Sequence, residues 1–408
     1  MSVDFVHEKP AVLRRRPFAL FWAARTLSAS ASQIQTVAAG WYLYSLTGSA
    51  LDLGFLGLAE FAPALLLAFA AGHFADRHDR RTIVAACQAG NAAVAILLAL
   101  GAASGTLSRG SIFALVAATG TARAFEHPTM AALMPGLVPA AVFARASAWS
   151  TSALKSAQAA GPALGGVLLA ASAPIAFAAA SAIFLMAASL SWRIGPSRAV
   201  SAREPFTLQS LFSGVAFVRS RPIILGTLSL DLFAVLFGGA TALFPVFARD
   251  ILMTGPEGLG LLRAAPAIGS LAMALTLTRF PVHRNVGARM FAAVAVFGLA
   301  TIAFGLSANI YWSLAALAIL GAADTVSVVI RFSLVQLQTP DAMRGRVSAL
   351  NSLFIISSNQ LGDFESGAAA ALFGAVPAVL AGGAATILIA LLWMTLFPSL
   401  RRLRTFDG

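Results

Sequence analysis

The stretch "GHFADRHDRR", Gly72 to Arg81, sets Gly72, Asp76, Arg77, Arg80 and Arg81 into a connection too short to be a domain, between two apolar runs each long enough to cross a bilayer. The same alternation of long apolar run and short polar connection continues through the chain. Of 408 residues, 59% are hydrophobic and 11% charged, and the mean hydropathy is +0.83. No soluble core could bury that much apolar surface. About 20 residues at 1.5 Å each cross about 30 Å of hydrocarbon. Twelve apolar stretches of that kind are predicted, near 18–45, 51–75, 82–104, 111–135, 142–171, 174–193, 223–248, 257–279, 287–306, 311–336, 346–372 and 375–398. The fold class is therefore an all-α membrane protein with twelve transmembrane helices.

A net charge of +12 would, in a soluble protein, point to nucleic acid or an anionic surface. Its distribution argues otherwise. Of 28 Lys and Arg, 21 fall in the N-terminal tail, the connections that follow even-numbered helices and the C-terminal tail, whereas only Arg109 and Arg249 fall in the opposite connections. By the positive-inside rule both termini are expected in the cytoplasm, the protein in the cytoplasmic (inner) membrane, and no nucleic-acid partner is called for. The sole cysteine, Cys87, lies inside the third apolar run, so no disulfide forms within the chain. The basic N-terminus precedes an apolar run too long for a signal peptide and reads as an uncleaved first helix.

The longest polar interruption, Arg193 to Pro222, divides the chain into an N-terminal half (1–193), a linker (194–222) and a C-terminal half (223–408). From Pro205 onward Phe206, Leu208, Leu211, Phe212, Val215 and Val218 recur at mostly helical spacing, the pattern of an amphipathic helix on the cytoplasmic face. Shifting the chain by 201 residues superposes Gly120 on Gly321, Pro139 on Pro340, Arg145 on Arg346, Gly161 on Gly362 and Gly166 on Gly367. A softer shift of about 206, guided by Gly54 with Gly260, relates the first helices. Two pseudo-symmetric six-helix halves with a site between them are a recurring transporter plan.

The opening motif runs Gly, three residues, Asp-Arg, two residues, Arg-Arg, and at this spacing it resembles the loop between the second and third transmembrane helices of the major facilitator superfamily. "YLYSLTGSALDLGFLGL", "GPALGG" and "TPDAMRGRVSALNSLF" resemble that superfamily's enterobactin exporter-like branch, over nearly the whole chain. The resemblance implies that Asp76, with Arg80, latches to the cytoplasmic end of helix eleven and helps close an inner gate, where a helix N-terminus favours an anion. Asp341, Arg344 and Arg346 are expected to join this gate network or to stand as solvated loop charges. "GPALGG", with Gly161, Pro162, Gly165 and Gly166, resembles the helix-five signature of antiporting members, although Ala157 stands where a glycine is usual. Its small residues would let helices approach closely whether or not exchange occurs.

An ionisable group at mid-bilayer costs at least about 2.5–3.5 kcal/mol, so each needs a cavity or a partner. Arg25, Arg123, Lys155, Arg263 and Arg331 lie within apolar runs, as do Glu60, Glu126, Asp231, Asp324, Asp363 and Glu365. The repeat places Arg123 opposite Asp324 and Arg25 opposite Asp231. We expect Arg25 and Asp231 to approach across the central cavity in one conformation and part in the other; a fixed structural pair is the alternative. Asp231, Glu365 and Asp324 are the candidates for carrying a proton. Glu126, three residues after Arg123, is expected to pair with it within one helix. Asp363 and Glu365 are about 200° apart on a helix and cannot face the same lumen. Glu60 precedes Pro63 and is a cavity candidate, Arg331 is a cavity charge, and Lys155 is a candidate anchor for an anionic substrate or a snorkelling lysine.

No pair of histidines has metal-ligand spacing, and no phosphate-cradling loop is present, so no enzyme, cofactor or direct use of ATP is expected. The reading is a monomeric carrier of a small organic molecule, and the resemblance implies that it exports that molecule in exchange for protons by alternating access. An importer, a lipid flippase and a non-transporting sensor or scaffold remain as alternatives.

Overall fold

The computed structural model of the protein describes residues 12–195 and 208–406. Six long helices come first: α1 (Arg16–Thr47), α2 (Ala50–Arg77), α3 (Arg80–Ser104), α4 (Arg109–Leu133), α5 (Phe143–Ala171) and α6 (Ala173–Trp192). A shorter α7 (Leu208–Ser220) leads into α8 (Pro222–Gly238), the three-residue α9 (Phe244–Val246), α10 (Gly255–Arg279), α11 (Val286–Leu306), α12 (Ile310–Gln338), α13 (Asp341–Phe373), α14 (Ala375–Leu396) and the terminal turn α15 (Pro398–Arg401). Helix ends carry the residues that satisfy orphan backbone groups. The side chains of Ser49, Asp79, Ser172 and Asn309 accept N-terminal N–H groups, and Ser108 with Ser111 forms a capping box. Gly48 and Gly105 close α1 and α3 in the left-handed conformation.

Among the described residues, eight helices are long and apolar enough to cross a membrane. The other four long helices also stand where runs are predicted but are less apolar. α1, α4, α5 and α13 carry the intramembrane charges Arg25, Arg123, Glu126, Lys155, Asp363 and Glu365 together with glutamines and asparagines, which lower their hydropathy. The seventh predicted run is also interrupted. α8 stops at Gly238, an irregular segment and a 3-10 turn, Thr241–Leu243, follow, and a π-turn, Phe247–Ile251, completes the crossing. Irregular backbone at this depth needs partners. The Gly239 carbonyl accepts the Ser366 hydroxyl, and Asp363 accepts the backbone N–H of Ala242. The amphipathic linker helix is present as α7, with Pro205 and Phe206 outside the described residues. Its Val218 is buried with Val347 and Leu350 of α13.

Helix pairing repeats between the first six long helices and the last six. α1 packs on α5 as α8 packs on α13, α2 on α4 as α10 on α12, α3 on α6 as α11 on α14, and α3 on α4 as α11 on α12. Glycines related by the repeat occupy matching contacts. A Cβ at Gly120 would collide with the Glu60 carbonyl of α2, and one at Gly321 with the Pro266 carbonyl of α10. A Cβ at Gly161 would lie 2.7 Å from Cβ of Gln33 on α1, and one at Gly362 2.9 Å from the Leu236 carbonyl of α8.

The apolar cores show which end is joined. One cluster draws Val37, Leu43, Leu98 and Phe177 together with Leu243, Phe247, Leu259 and Phe304, from both sets of helices, at the end away from the chain termini. Near the termini the cores are separate: Phe18, Phe21, Leu133 and Ile194 in one, Met290, Phe291, Ile330 and Leu400 in another. Gly120→Ala and Gly321→Ala should each destabilise the protein by about 1–3 kcal/mol through overpacking. Gly90→Ala, which meets open space, should be close to neutral. Unfolding followed in detergent checks all three.

Candidate transport site

The sealed end is built from backbone contact. α5 meets α10 where a Cβ at Gly166 would lie 2.8 Å from Cα of Gly260, and α2 meets α13 where a Cβ at Gly367 would lie 2.9 Å from Cα of Gly54. These two crossings are mates under the sequence repeat. Alongside them the Tyr44 hydroxyl hydrogen-bonds the Asp250 carboxylate, and Arg249 Nη1 donates to the Tyr44 carbonyl at 3.2 Å. Arg109 pairs at 2.7 Å with Asp52, whose side chain is buried. Gly161 and Gly165 press on α1 while Gly166 presses on α10, so "GPALGG" serves two neighbours. Pro162 contributes the carbonyl that lies closest to Gly260.

Below this seal the charges sort into partners. Glu60 of α2 forms an ion pair with Arg123 of α4. Arg123 therefore reaches between helices, and the expected pairing with Glu126 inside α4 is replaced. The two helices touch at Gly120, which brings their side chains within reach. Glu126 is buried, its Oε1 accepting Ser28 Oγ at 2.7 Å and Gln88 Nε2 at 3.0 Å, while Gln88 Oε1 accepts Ser191 Oγ at 2.8 Å. That network ties α1, α3, α4 and α6 together, with Arg25 and Arg123 within electrostatic reach of Glu126.

Asp231 of α8 is paired with Arg331 of α12, their side chains 10% and 5% exposed. Among the described residues no ion pair joins Arg25 to Asp231 in this conformation. Both residues lie nine positions into their helices, on the side where the two cores are apart, so Asp231 takes its cation from its own half. Asp324, two turns before Arg331 on the same face of α12, lies instead within electrostatic reach of Lys155 on α5. Asp363 sits among Gly57, the Ala242 N–H and Arg263, which identifies it as the packing member of the Asp363–Glu365 pair; Glu365 is half-buried beside Ser366.

At the termini end, Arg80 Nη1 donates to the Ala132 carbonyl at 3.0 Å, and Arg81 bonds Asp79 at 2.7 Å and the Ile194 carbonyl at 3.2 Å. These arginines cap the ends of α4 and α6, as expected for cations at helix C-termini. Arg77 is exposed. Gly72 and the side chain of Asp76 fall outside the described residues. Asp341 pairs with Arg344 inside the first turn of α13, and Arg346 Nη1 donates to Ser213 of α7 at 3.2 Å. Arg346 thus ties down the linker helix, and the network expected between these residues and the Asp76 loop lies outside the described residues.

The model of a family described as transmembrane secretion effectors matches residues 9–407. The chain belongs to this family of major facilitator transporters. It is similar to the enterobactin exporter EntS of Citrobacter koseri, 26% identical over 363 residues, covering 88% of this chain and 83% of the relative. The EntS of Shigella boydii is likewise 26% identical, over 336 residues. Solved structures with the same fold include a bacterial homologue of the human lysosomal transporter Spinster in an inward-facing, unoccupied conformation, with a TM-score of 0.72, 14% identity and 96% of each chain covered. A bacterial homologue of the iron transporter ferroportin in an inward-facing state has a TM-score of 0.71 and 17% identity, over 96% of this chain and 100% of that one.

Within this major facilitator transporter, sequence reasoning missed Arg331 as the partner of Asp231 and Arg263 as the neighbour of Asp363. One signal was available for the first. Asp231 lies nine residues from the start of α8 and Arg331 seven from the end of α12, which at 1.5 Å per residue is nearly the same depth. Asp231→Asn should cost about 3–5 kcal/mol by leaving Arg331 buried without a counter-charge, and Asp231→Leu with Arg331→Met should recover most of it. Thermal unfolding of the purified variants checks the pair.

Proposed function

We propose that this protein is a secondary active exporter of the cytoplasmic membrane. It moves a small organic solute outward by alternating access, in exchange for protons. The observation that carries the reading is the asymmetry of contact: the two sets of six helices share one apolar core and two glycine crossings at one end, and keep separate cores at the other. Alternating access needs such a seal to form at one end at a time. The positive-inside distribution assigns the termini end to the cytoplasm, so this conformation faces inward. The segments 1–193 and 223–408 are the rocking units, the polypeptide between them holding them together, and a single chain suffices.

Export is supported by similarity to enterobactin exporters over 88% of the chain. The solute class follows from the wall that α1, α4 and α5 present. Trp22 and Trp149 pack edge to face with ring centroids 6.2 Å apart, and Arg25, His127 and exposed Lys155 belong to the same three helices. Aromatic surface beside cations suits an amphipathic or anionic organic molecule. Proton exchange is supported by carboxylates held within the membrane, each a group that a proton can neutralise.

Metabolites in spent medium and cell extract should be compared for cells lacking the protein, expressing it, or expressing Gly260→Val at matched membrane levels. A compound that leaves only cells with the intact protein is the expected result. Gly260→Val should abolish that efflux by at least tenfold, because its side chain would have to enter the α5 backbone each time the outer end closes. Accumulation inside the cells would establish import instead, and identical profiles in all three strains would remove the transport reading.

A further inference from the structure

We infer that Asp324 is the proton-exchanging group and that Lys155, from the opposite half, is the residue that reads its state. This rests on the exchange reading above and names its site. The argument is charge accounting within one small cavity. Asp231, Asp324 and Ser327 line a cavity of about 10 Å³ together with Ala234, Val294 and Phe297, room for about one water molecule. Two carboxylates thus share one site in the C-terminal half. Arg331 is the cation facing that site from α12, and it is committed to Asp231. The surrounding surface from α11 is Ala293, Val294 and Phe297, which offers no charge. α10, which packs along α12, carries the buried cation Arg263, and that charge lies within reach of Asp363. Asp324 is therefore one positive charge short within its own half.

The missing charge comes across the central cavity. Lys155 of α5 is the group whose charge bears on Asp324. α5 is also the helix that presses on α10 through Gly166 and Gly260, so when that crossing opens or rocks Lys155 moves relative to α12. Asp324 has two ways to be neutral in its surroundings, the lysine or a proton. In the conformation seen here the lysine stands within electrostatic reach of Asp324, with no direct ion pair between them among the described residues. In the alternate conformation Asp324 takes up one proton from solvent, becoming a neutral carboxylic acid, and it returns the same proton when Lys155 comes back; no other bond forms or breaks. Asp231, held by Arg331, keeps its charge throughout and supplies the fixed polar wall. A ligand that binds one conformation better shifts the population toward it, and a proton obeys the same rule. Acid should therefore move the protein away from the inward-facing form.

The test needs no substrate. Trp192 and Phe280 are both exposed, at the termini ends of α6 and α10. Trp192→Cys and Phe280→Cys on a Cys87→Ser background carry spin labels whose separation reports the opening of that end in reconstituted protein between pH 5 and pH 8.5. The expected result is a long separation at alkaline pH that shortens in acid. Asp324→Asn should hold the short separation at every pH, Lys155→Met should remove the dependence on pH, and Asp324→Glu should restore it. A shift that survives unchanged in both Asp324→Asn and Lys155→Met overturns the assignment. So does a single separation at every pH in the parent. The export comparison of cells and medium is independent of this measurement, so loss of this site would leave the exporter reading standing or falling on its own result.

Discussion

Everything in this fold hangs on two places where helix backbones touch without side chains between them. Gly166 against Gly260 and Gly54 against Gly367 bring α5 onto α10 and α2 onto α13 at one end of the bundle. In lipid there is no hydrophobic drive to pull helices together, so close van der Waals packing of small residues has to do it. Such contact is strong only at the right distance, and a single methyl would break it. A joint of that kind can be firm when closed and still part cleanly, which is what a rocking carrier requires.

The seal sets where charge can sit. Near the joined end the chain spends its polar groups on bridges between the two sets of helices, such as Tyr44 with Asp250 and Arg249. At the open end each set satisfies its own: Glu60 with Arg123, Glu126 with Ser28 and Gln88, Asp231 with Arg331. A buried charge that lost its partner on every cycle would cost several kcal/mol each time. Confining most ion pairs to one half avoids that cost during motion. Lys155 and Asp324 stand out against this arrangement because the charge that acts on Asp324 belongs to the other set of helices.

The broken crossing after α8 follows the same logic on the backbone. Gly238 and Gly239 end the helix, and the freed groups are taken by Ser366 and Asp363 of α13. The α8–α13 pairing thereby gains a polar stitch at the broken helix, where its repeat mate, α1 with α5, is joined by the Trp22 indole donating to the Trp149 carbonyl at 3.0 Å and by glycine and glutamine contact. The repeat preserves the geometry of packing and lets the chemistry differ between halves.

Much of this was legible in the sequence, because the signals involved are local or periodic. Apolar run length located the long helices, and the 201-residue register of Gly120, Gly161 and Gly166 on Gly321, Gly362 and Gly367 determined the duplicated helix packing. α1, α4, α5 and α13 are also long helices where runs are predicted, though less apolar than the others, since helices that line a polar interior need not be apolar all round. What the sequence could not determine was which charge meets which. Arg123 is three residues from Glu126 yet pairs with Glu60, and Asp231 is matched by symmetry to Arg25 yet pairs with Arg331. Helical spacing fixes which face a residue occupies, but a partner is chosen by the distance between helices, and that distance is decided by glycine contacts formed only when the whole bundle is assembled.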